Sequence, residues 1–204
     1  MSTAIRSVCV FCSSSDKVDA AYFEAARQLG RLLARDRYTL VYGGGKIGLM
    51  GALALATREH GGRVVGIIPR SMVDQELAYQ EADELILTDT MRQRKATMDE
   101  RADAFIVLPG GFGTLEELLE ALTLRQLRYH VKPILMVNLN GFFDRLLAVF
   151  EQLIEDRFAK PHHRSSYQVV PDPQAAVTFL QRCDGQQMTG GLSPAPDQLR
   201  RSNP

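Results

Sequence analysis

"LPGGFGTLEELLEAL", Leu108 to Leu122, decides the fold. It leaves an apolar run, "AFIV" from Ala104, passes three glycines and enters a leucine-striped stretch with a helix's period. Strand, glycine turn and helix in that order are the makings of a β-α-β unit. Pro109 closes the strand, and Gly110, Gly111 and Gly113 permit backbone angles and a close approach that other residues forbid. Thr114 then begins the helix. Free N–H groups and the positive end of the helix dipole meet at such a turn, which makes Gly110, Gly111, Phe112, Gly113 and Thr114 a phosphate-binding loop in prospect.

The same alternation extends to both sides. Strands are expected at "VCVFC" from Val8, "YTLVYG" from Tyr38, "RVVGIIP" from Arg63, "ELILT" from Glu84, "AFIVLPGG" from Ala104 and "KPILMV" from Lys132, with a short one at Gln168 to Val170. Between them, Tyr22, Ala25, Ala26, Leu29, Leu32 and Leu33 repeat with helical period, as do Phe143, Leu146, Leu147, Phe150 and Ile154. A further helix is expected from Pro173 to Arg182. The pattern predicts an α/β fold: a Rossmann-like, doubly wound, mainly parallel sheet with helices on both faces. Near-continuous apolar strands suit a sheet buried on both sides. Residues 1–183 make one domain, a size that needs no second core. "DGQQMTGGLSPAPDQLRRSNP", 184–204, is poor in apolar anchors and is expected to be a disordered tail.

Lys plus Arg equals Asp plus Glu at 24 each, so no bulk field draws the chain to nucleic acid or to a membrane. No apolar stretch approaches a membrane span, and no long apolar segment opens the chain, so the expected location is the cytoplasm. Cys9, Cys12 and Cys183 are too few for a disulfide scaffold. "CVFC" lies in a strand, where residues three apart face opposite ways, so its thiols are expected to be buried and structural. The four histidines lack metal-ligand spacing and are expected to be surface or packing residues.

Ligands of doubly wound sheets bind outside the carboxyl ends of the strands. Three loops there carry suitable chemistry. The first, "SSSD", begins at Ser13, whose hydroxyl would contact a ligand or start the next helix. The second, "YGGGKIGLMG", matches G-x-G-x-x-G through Gly43, Gly45 and Gly48, but it follows the second strand and lacks the acid a dinucleotide site needs. Ile47 in place of Ser or Thr excludes a Walker loop. Gly44 and Gly45 therefore form either a tight turn or a turn that also lets backbone approach a nucleotide. The third is the opening stretch, where Thr114-x-x-Glu117 also spells a capping box. Helical spacing sets Leu115, Leu118, Leu119 and Leu122 on one face, with Glu117, Glu120 and Leu124 on the other, so both sides of this helix are expected to be covered. "MRQRKATMDE" from Met91 starts another helix with Arg94 and Lys95 in its first turns. Cations there oppose the helix dipole, which points to an anionic partner or to solvated surface charge.

With "PGGFGTLEE" following "MRQRK", the chain resembles the Lonely Guy family of cytokinin-activating phosphoribohydrolases, whose hallmark is P-G-G-x-G-T-x-x-E with an upstream R-K pair. The resemblance runs from "CVFCSSS" through "YGGGKIGLMG", "GIIP" and "KPILMVNLNGFFD" to about Arg164. It implies hydrolysis of the N-glycosidic bond of N6-modified adenosine 5'-monophosphates, and often of AMP, to free base and ribose 5-phosphate, without a cofactor. It further implies that Arg94 and Glu117 are the catalytic pair, that Lys95 and Gly111 to Thr114 contact the nucleotide, and that Glu76 and Thr123 are further binding positions. The family forms homodimers, in some members higher assemblies, with the site near the subunit interface. Arg92, Ser13, Leu122, Leu124 and Arg128 depart from the usual pattern: family members carry His, Gly, a Trp within the leucine stretch, and Gly at the last position. The rival reading from the same loops is a nucleotide-binding or carrier protein without turnover.

Overall fold

A computed structural model gives the fold; it describes residues 4–73 and 77–189, the last six by backbone alone. The strands are β1 (Ser7–Phe11), β2 (Thr39–Tyr42), β3 (Val64–Pro69), β4 (Glu84–Thr88), β5 (Ala104–Val107), β6 (Ile134–Val137) and β7 (Gln168–Val170). They form one sheet in the order β4-β3-β2-β1-β5-β6-β7, and every neighbouring pair is parallel. The helices are α1 (Ala20–Arg35), α2 (Gly48–Glu59), the single turn α3 (Arg70–Val73), α4 (Met91–Arg101), α5 (Phe112–Gln126), α6 (Asp144–Glu155) and α7 (Pro173–Thr189).

Strand alternation divides the core in two. Val8, Val10, Leu40 and Ile106 pack with Leu29 and Leu33 of α1, Leu53 of α2 and Val177 of α7. Cys9, Phe11, Val41 and Phe105 point the other way, to Met98 of α4, Leu118 of α5 and Phe143 at the start of α6. Cys12 belongs to the first cluster and Cys9 to the second, so the C-x-x-C thiols lie on opposite sheet faces, free and buried. Burial pushes both thiols above their ordinary value.

One expectation changes in detail. Helix α7 does not stop at Arg182 but continues to Thr189, across the first residues of the expected tail; 190–204 lie outside the described residues. No helix of the described residues is long and apolar enough to cross a membrane.

The strand order locates a binding crevice. From β1 the chain steps outward through β2 and β3 to β4, then returns to lay β5 on the other side of β1. The loops after β1 and β5 thus leave the sheet in divergent directions, and the gap between them is where ligands of such sheets bind.

Candidate active site

A crevice of about 420 Å³ opens at that switch point, bordered by Ser13, Ser14 and Ser15 after β1 and by Gly111, Phe112, Gly113 and Thr114 after β5. Gly43, Arg94 and Glu117 also line it.

The β5 side is built by where α5 starts. The helix begins at Phe112, with Gly111 as its N-cap and no capping side chain. Thr114 is therefore inside the first turn and buried, and the capping box suggested by Thr114-x-x-Glu117 is not the arrangement adopted. First-turn N–H groups have no partner within a helix, and the residues that carry them here line the crevice. A methyl group at Gly111 or Gly113 would meet nothing within 4 Å. Packing does not require these two glycines, whereas Gly110 is required because its methyl would sit 2.1 Å from Thr114 Oγ1.

The β1 side is held by the second glycine loop. Ser13 Oγ accepts from the Ser15 N–H at 3.0 Å, forming a tight hydroxyl turn, and its carbonyl accepts from Met50 N at 3.2 Å. Gly48 (φ 63°) lies so close that a methyl there would come within 2.4 Å of the Ser14 backbone. Gly44 and Gly45 do not line the crevice. Their backbone is engaged by the segment after α3: Tyr79 N donates to Gly44 O and Lys46 N to Leu77 O, each at 2.8 Å, with a bridge between Gly45 and Ala78. These bonds close the loop as a tight turn.

Arg94 and Glu117 meet at the floor. The true capping box is on α4, where Thr90 and Gln93 bond reciprocally and fix the first turn. That sets Arg94, only 6% exposed, beneath the end of β3, where its Nε donates to Ile67 O at 3.1 Å. Its Nη1 donates to Glu117 Oε1 at 3.3 Å. Gly43 makes room for this guanidinium: a methyl there would lie 1.8 Å from Nη2. The Glu117 side chain is 11% exposed. Burial pushes its carboxyl up to about 7, against the pull of Arg94, with Glu116 adding to the rise, Lys95 opposing it and Glu120 adding again. A carboxyl with that acidity both holds and releases a proton near neutral pH.

Not every residue implied by the resemblance joins this cluster. Lys95, next to Arg94, turns to the outer side of α5 and pairs with Glu116 and, at 2.7 Å, with Glu120. Thr123 donates to Leu119 O at 2.7 Å on the same outer side. Lys95 and Thr123 share an open groove with Leu115, Leu119 and Phe112, and Phe112 borders the crevice as well. Glu76 lies outside the described residues. Helix α5 also differs from its expected faces: Thr114, Leu118 and Ala121 point into the core, while Leu119 is half exposed and Phe112 is 93% exposed. Only one side of α5 is covered within the described chain. Sequence reasoning missed Gly43 as the seat of Arg94, and it missed Met50, Met72, Met91 and Met98, which line the crevice. For two of these the signal existed, since Met91, Arg94 and Met98 are spaced to share one face of α4.

The family profile described as "Possible lysine decarboxylase" matches residues 50–180. Cytokinin riboside 5'-monophosphate phosphoribohydrolase LOG5 of Arabidopsis thaliana is 43% identical over 176 residues, covering 86% of this chain and 77% of its own. The probable cytokinin riboside 5'-monophosphate phosphoribohydrolase LOGL9 of Oryza sativa subsp. japonica is 42% identical, covering 86% and 78%. Among solved structures, the molybdenum cofactor carrier protein of Chlamydomonas reinhardtii superposes with a TM-score of 0.70 at 19% identity, over 89% of this chain and 99% of that one. A molybdenum cofactor binding protein from Rippkaea orientalis gives 0.65 at 20% identity, over 88% and 97%. At such identity the structures attest the fold alone, while the sequence relatives go further: this chain belongs to the Lonely Guy family of phosphoribohydrolases.

Proposed function

We propose that the protein hydrolyses the N-glycosidic bond of adenosine 5'-monophosphates, N6-modified ones included, releasing free base and ribose 5-phosphate. The observation that carries this reading is the Arg94–Glu117 pair, buried on the crevice floor one helical turn from an uncapped helix start. The kinship with proteins named for that activity supports it. The 5'-phosphate binds the first-turn N–H groups of α5, with Gly111 and Gly113 leaving room for its oxygens. Glu117, one turn on, then faces the sugar.

As the bond from C1' to the base nitrogen breaks, positive charge grows on the sugar. The Glu117 carboxylate stabilises that charge and takes a proton from the water whose oxygen bonds to C1'. The departing base leaves with the bonding electrons and gains a proton. Arg94 cannot supply that proton, because its guanidinium does not deprotonate, so it orients Glu117 and holds substrate oxygens.

A homodimer fits the exposed face of α5. Phe112, Leu119 and Leu153 of α6 are exposed apolar side chains on one flank of the molecule, and Leu119 and Leu153 border a common cavity. A second copy seated there would bring the outer groove, with Lys95 and Thr123, against a crevice rim that shares Phe112. The buried thiols of Cys9 and Cys12, outside any disulfide, suit a reducing cytoplasm.

Lysine decarboxylation, which the family profile's description suggests, would need pyridoxal phosphate on a lysine in the site. No lysine lines the crevice among the described residues; Lys95 is engaged by Glu116 and Glu120, and Lys46 is exposed outside it. The residues present do not fit that cofactor. A carrier without turnover is separated from the hydrolase by Glu117→Gln. If the variant keeps nucleotide affinity and melting temperature but releases no base, while wild type does, the enzyme reading stands. Absence of base release by wild type, with nucleotide still bound, overturns it.

A further inference from the structure

Met91 opens α4, directly after the Thr90 cap, and its side chain lines the crevice while remaining 48% exposed among the described residues. Arg94 lies one helical turn on and is buried; its Nη1 approaches Met91 Sδ to 4.0 Å. The same nitrogen donates to Glu117 Oε1 at 3.3 Å, which is long for a bond between charged groups, ordinarily about 2.7–2.9 Å. Nη1 is thus shared between a loosely held carboxylate and a thioether, a weak acceptor. Which side holds it depends on how good an acceptor the sulfur offers. The other methionines of the crevice are better shielded: Met98 is 1% exposed, and Met50 and Met72 are half-buried.

We propose that Met91 is a site of reversible oxidation that controls the Arg94–Glu117 pair: a peroxide turns its thioether into the sulfoxide, and the new oxygen draws Nη1 away from the carboxylate. In that step a sulfur lone pair bonds to one peroxide oxygen, the O–O bond breaks, and the second oxygen leaves with both hydrogens as water. Sulfur is oxidised and the peroxide reduced. An oxygen carried by a sulfur 4.0 Å from Nη1 comes within the about 2.7–3.2 Å of an N–H···O bond without any shift of α4. Arg94 stays seated through its Nε bond to Ile67 O at 3.1 Å, so the guanidinium pivots rather than leaves. The consequence falls on Glu117, whose proton is governed by Arg94 and Lys95 from α4 and by Glu116 and Glu120 of its own helix, with the thiols of Cys9 and Cys12 facing it from β1 and the residue after it. Burial raises this carboxyl to about 7, and Arg94 is the strongest influence against the rise. With that cation drawn aside, Glu117 keeps its proton to higher pH and offers less carboxylate at neutrality. Reduction of the sulfoxide by a thiol-dependent reductase restores the pair. The effect on turnover rests on the phosphoribohydrolase reading; the oxidation and its effect on Glu117 do not.

The test follows the Glu117 carboxyl by carbon-13 NMR titration of the full chain labelled in glutamate, with Glu117→Gln identifying its signal. Wild type and Met91→Leu are treated with dilute hydrogen peroxide, each beside its own untreated control, and peptide mass spectrometry records oxidation at every methionine. Met91 should oxidise about tenfold faster than Met98, and the wild-type Glu117 midpoint should rise by about one unit. Met91→Leu should keep its midpoint through the same treatment, and a methionine sulfoxide reductase should return that of wild type. Base release from AMP at about pH 7 should fall about fivefold as the midpoint rises. A midpoint that stays in place while Met91 is oxidised overturns the proposal, as does an equal rise in Met91→Leu or oxidation of Met98 ahead of Met91. If the midpoint moves as expected but untreated wild type releases no base, the oxidation site stands and the hydrolase reading falls.

Discussion

At the scale of single residues, the centre of the molecule is a carboxyl whose burial outweighs its cationic partner. Glu117 holds a proton more tightly in the folded chain than in the unfolded one, so low pH favours folding. That advantage is complete below about 4.5 and is lost as pH rises through about 7. Glu117→Gln removes the dependence. Melting curves from about pH 4 to pH 8 should therefore show the variant gaining on wild type as pH rises, by about 3 kcal/mol in all; a constant gap would contradict the raised acidity. If the carboxylate is the working form, kcat should climb through about pH 7. Gly43→Ala should drive the Arg94 guanidinium from its seat and lower kcat on the order of 100-fold, with the melting temperature little changed. Little of this could be foreseen from the chain alone. The motif marked Glu117 and Arg94, but spacing could not separate a cap from a catalyst, because that depends on where α5 begins. Nor could it pair Gly43 with Arg94, which lies fifty-one positions away and reaches it only through the stacking of β2 and β3.

At the scale of elements, helix ends carry most of the information. Strand positions were legible because the five inner strands β1, β2, β3, β5 and β6 are apolar runs buried on both faces, and these runs recur between helical periods. Helix starts were less legible: Thr114 suggested the first residue of α5, yet Gly111 caps it, since the chain leaves that end open rather than closing it with a side chain. Gly113→Ala tests the purpose of that choice. With nothing within 4 Å to obstruct a methyl, alanine should raise stability by about 0.5–1 kcal/mol, yet weaken nucleotide binding about tenfold or more by crowding the phosphate. Helix exits tell a second story. Arg37, Arg128 and Arg157 follow the ends of α1, α5 and α6 with φ of 60°, 65° and 66°, where α2 ends with Gly61 at 76°. After α5, Arg128 N donates to Arg125 O at 3.0 Å and Tyr129 N to Leu124 O at 2.9 Å, the double bond pattern that glycine usually accompanies. The departure at Arg128 is thus a backbone matter, remote from the chemistry. Arg128→Gly should stabilise the fold by about 0.5–1 kcal/mol in urea denaturation without altering turnover.

At the scale of the whole molecule, the strand order places the crevice at the switch point, and one flank of α5 is bare among the described residues. The doubly wound topology was legible from alternation; which side of α5 stays open was not, because leucines on two faces fit a buried helix and an interface alike. The proposed dimer predicts that Leu119→Glu combined with Leu153→Glu yields a monomer by sedimentation, with the melting transition still cooperative. A dimer that survives both changes would assign the flank another role. The most direct test of the central claim is incubation of purified protein with AMP and with isopentenyladenosine 5'-monophosphate, following base and ribose 5-phosphate by chromatography. Wild type should release the two products in equal amounts, and Glu117→Gln, equally folded, should release neither. Undiminished release by Glu117→Gln, or nucleotide binding by wild type without any release, would contradict the account.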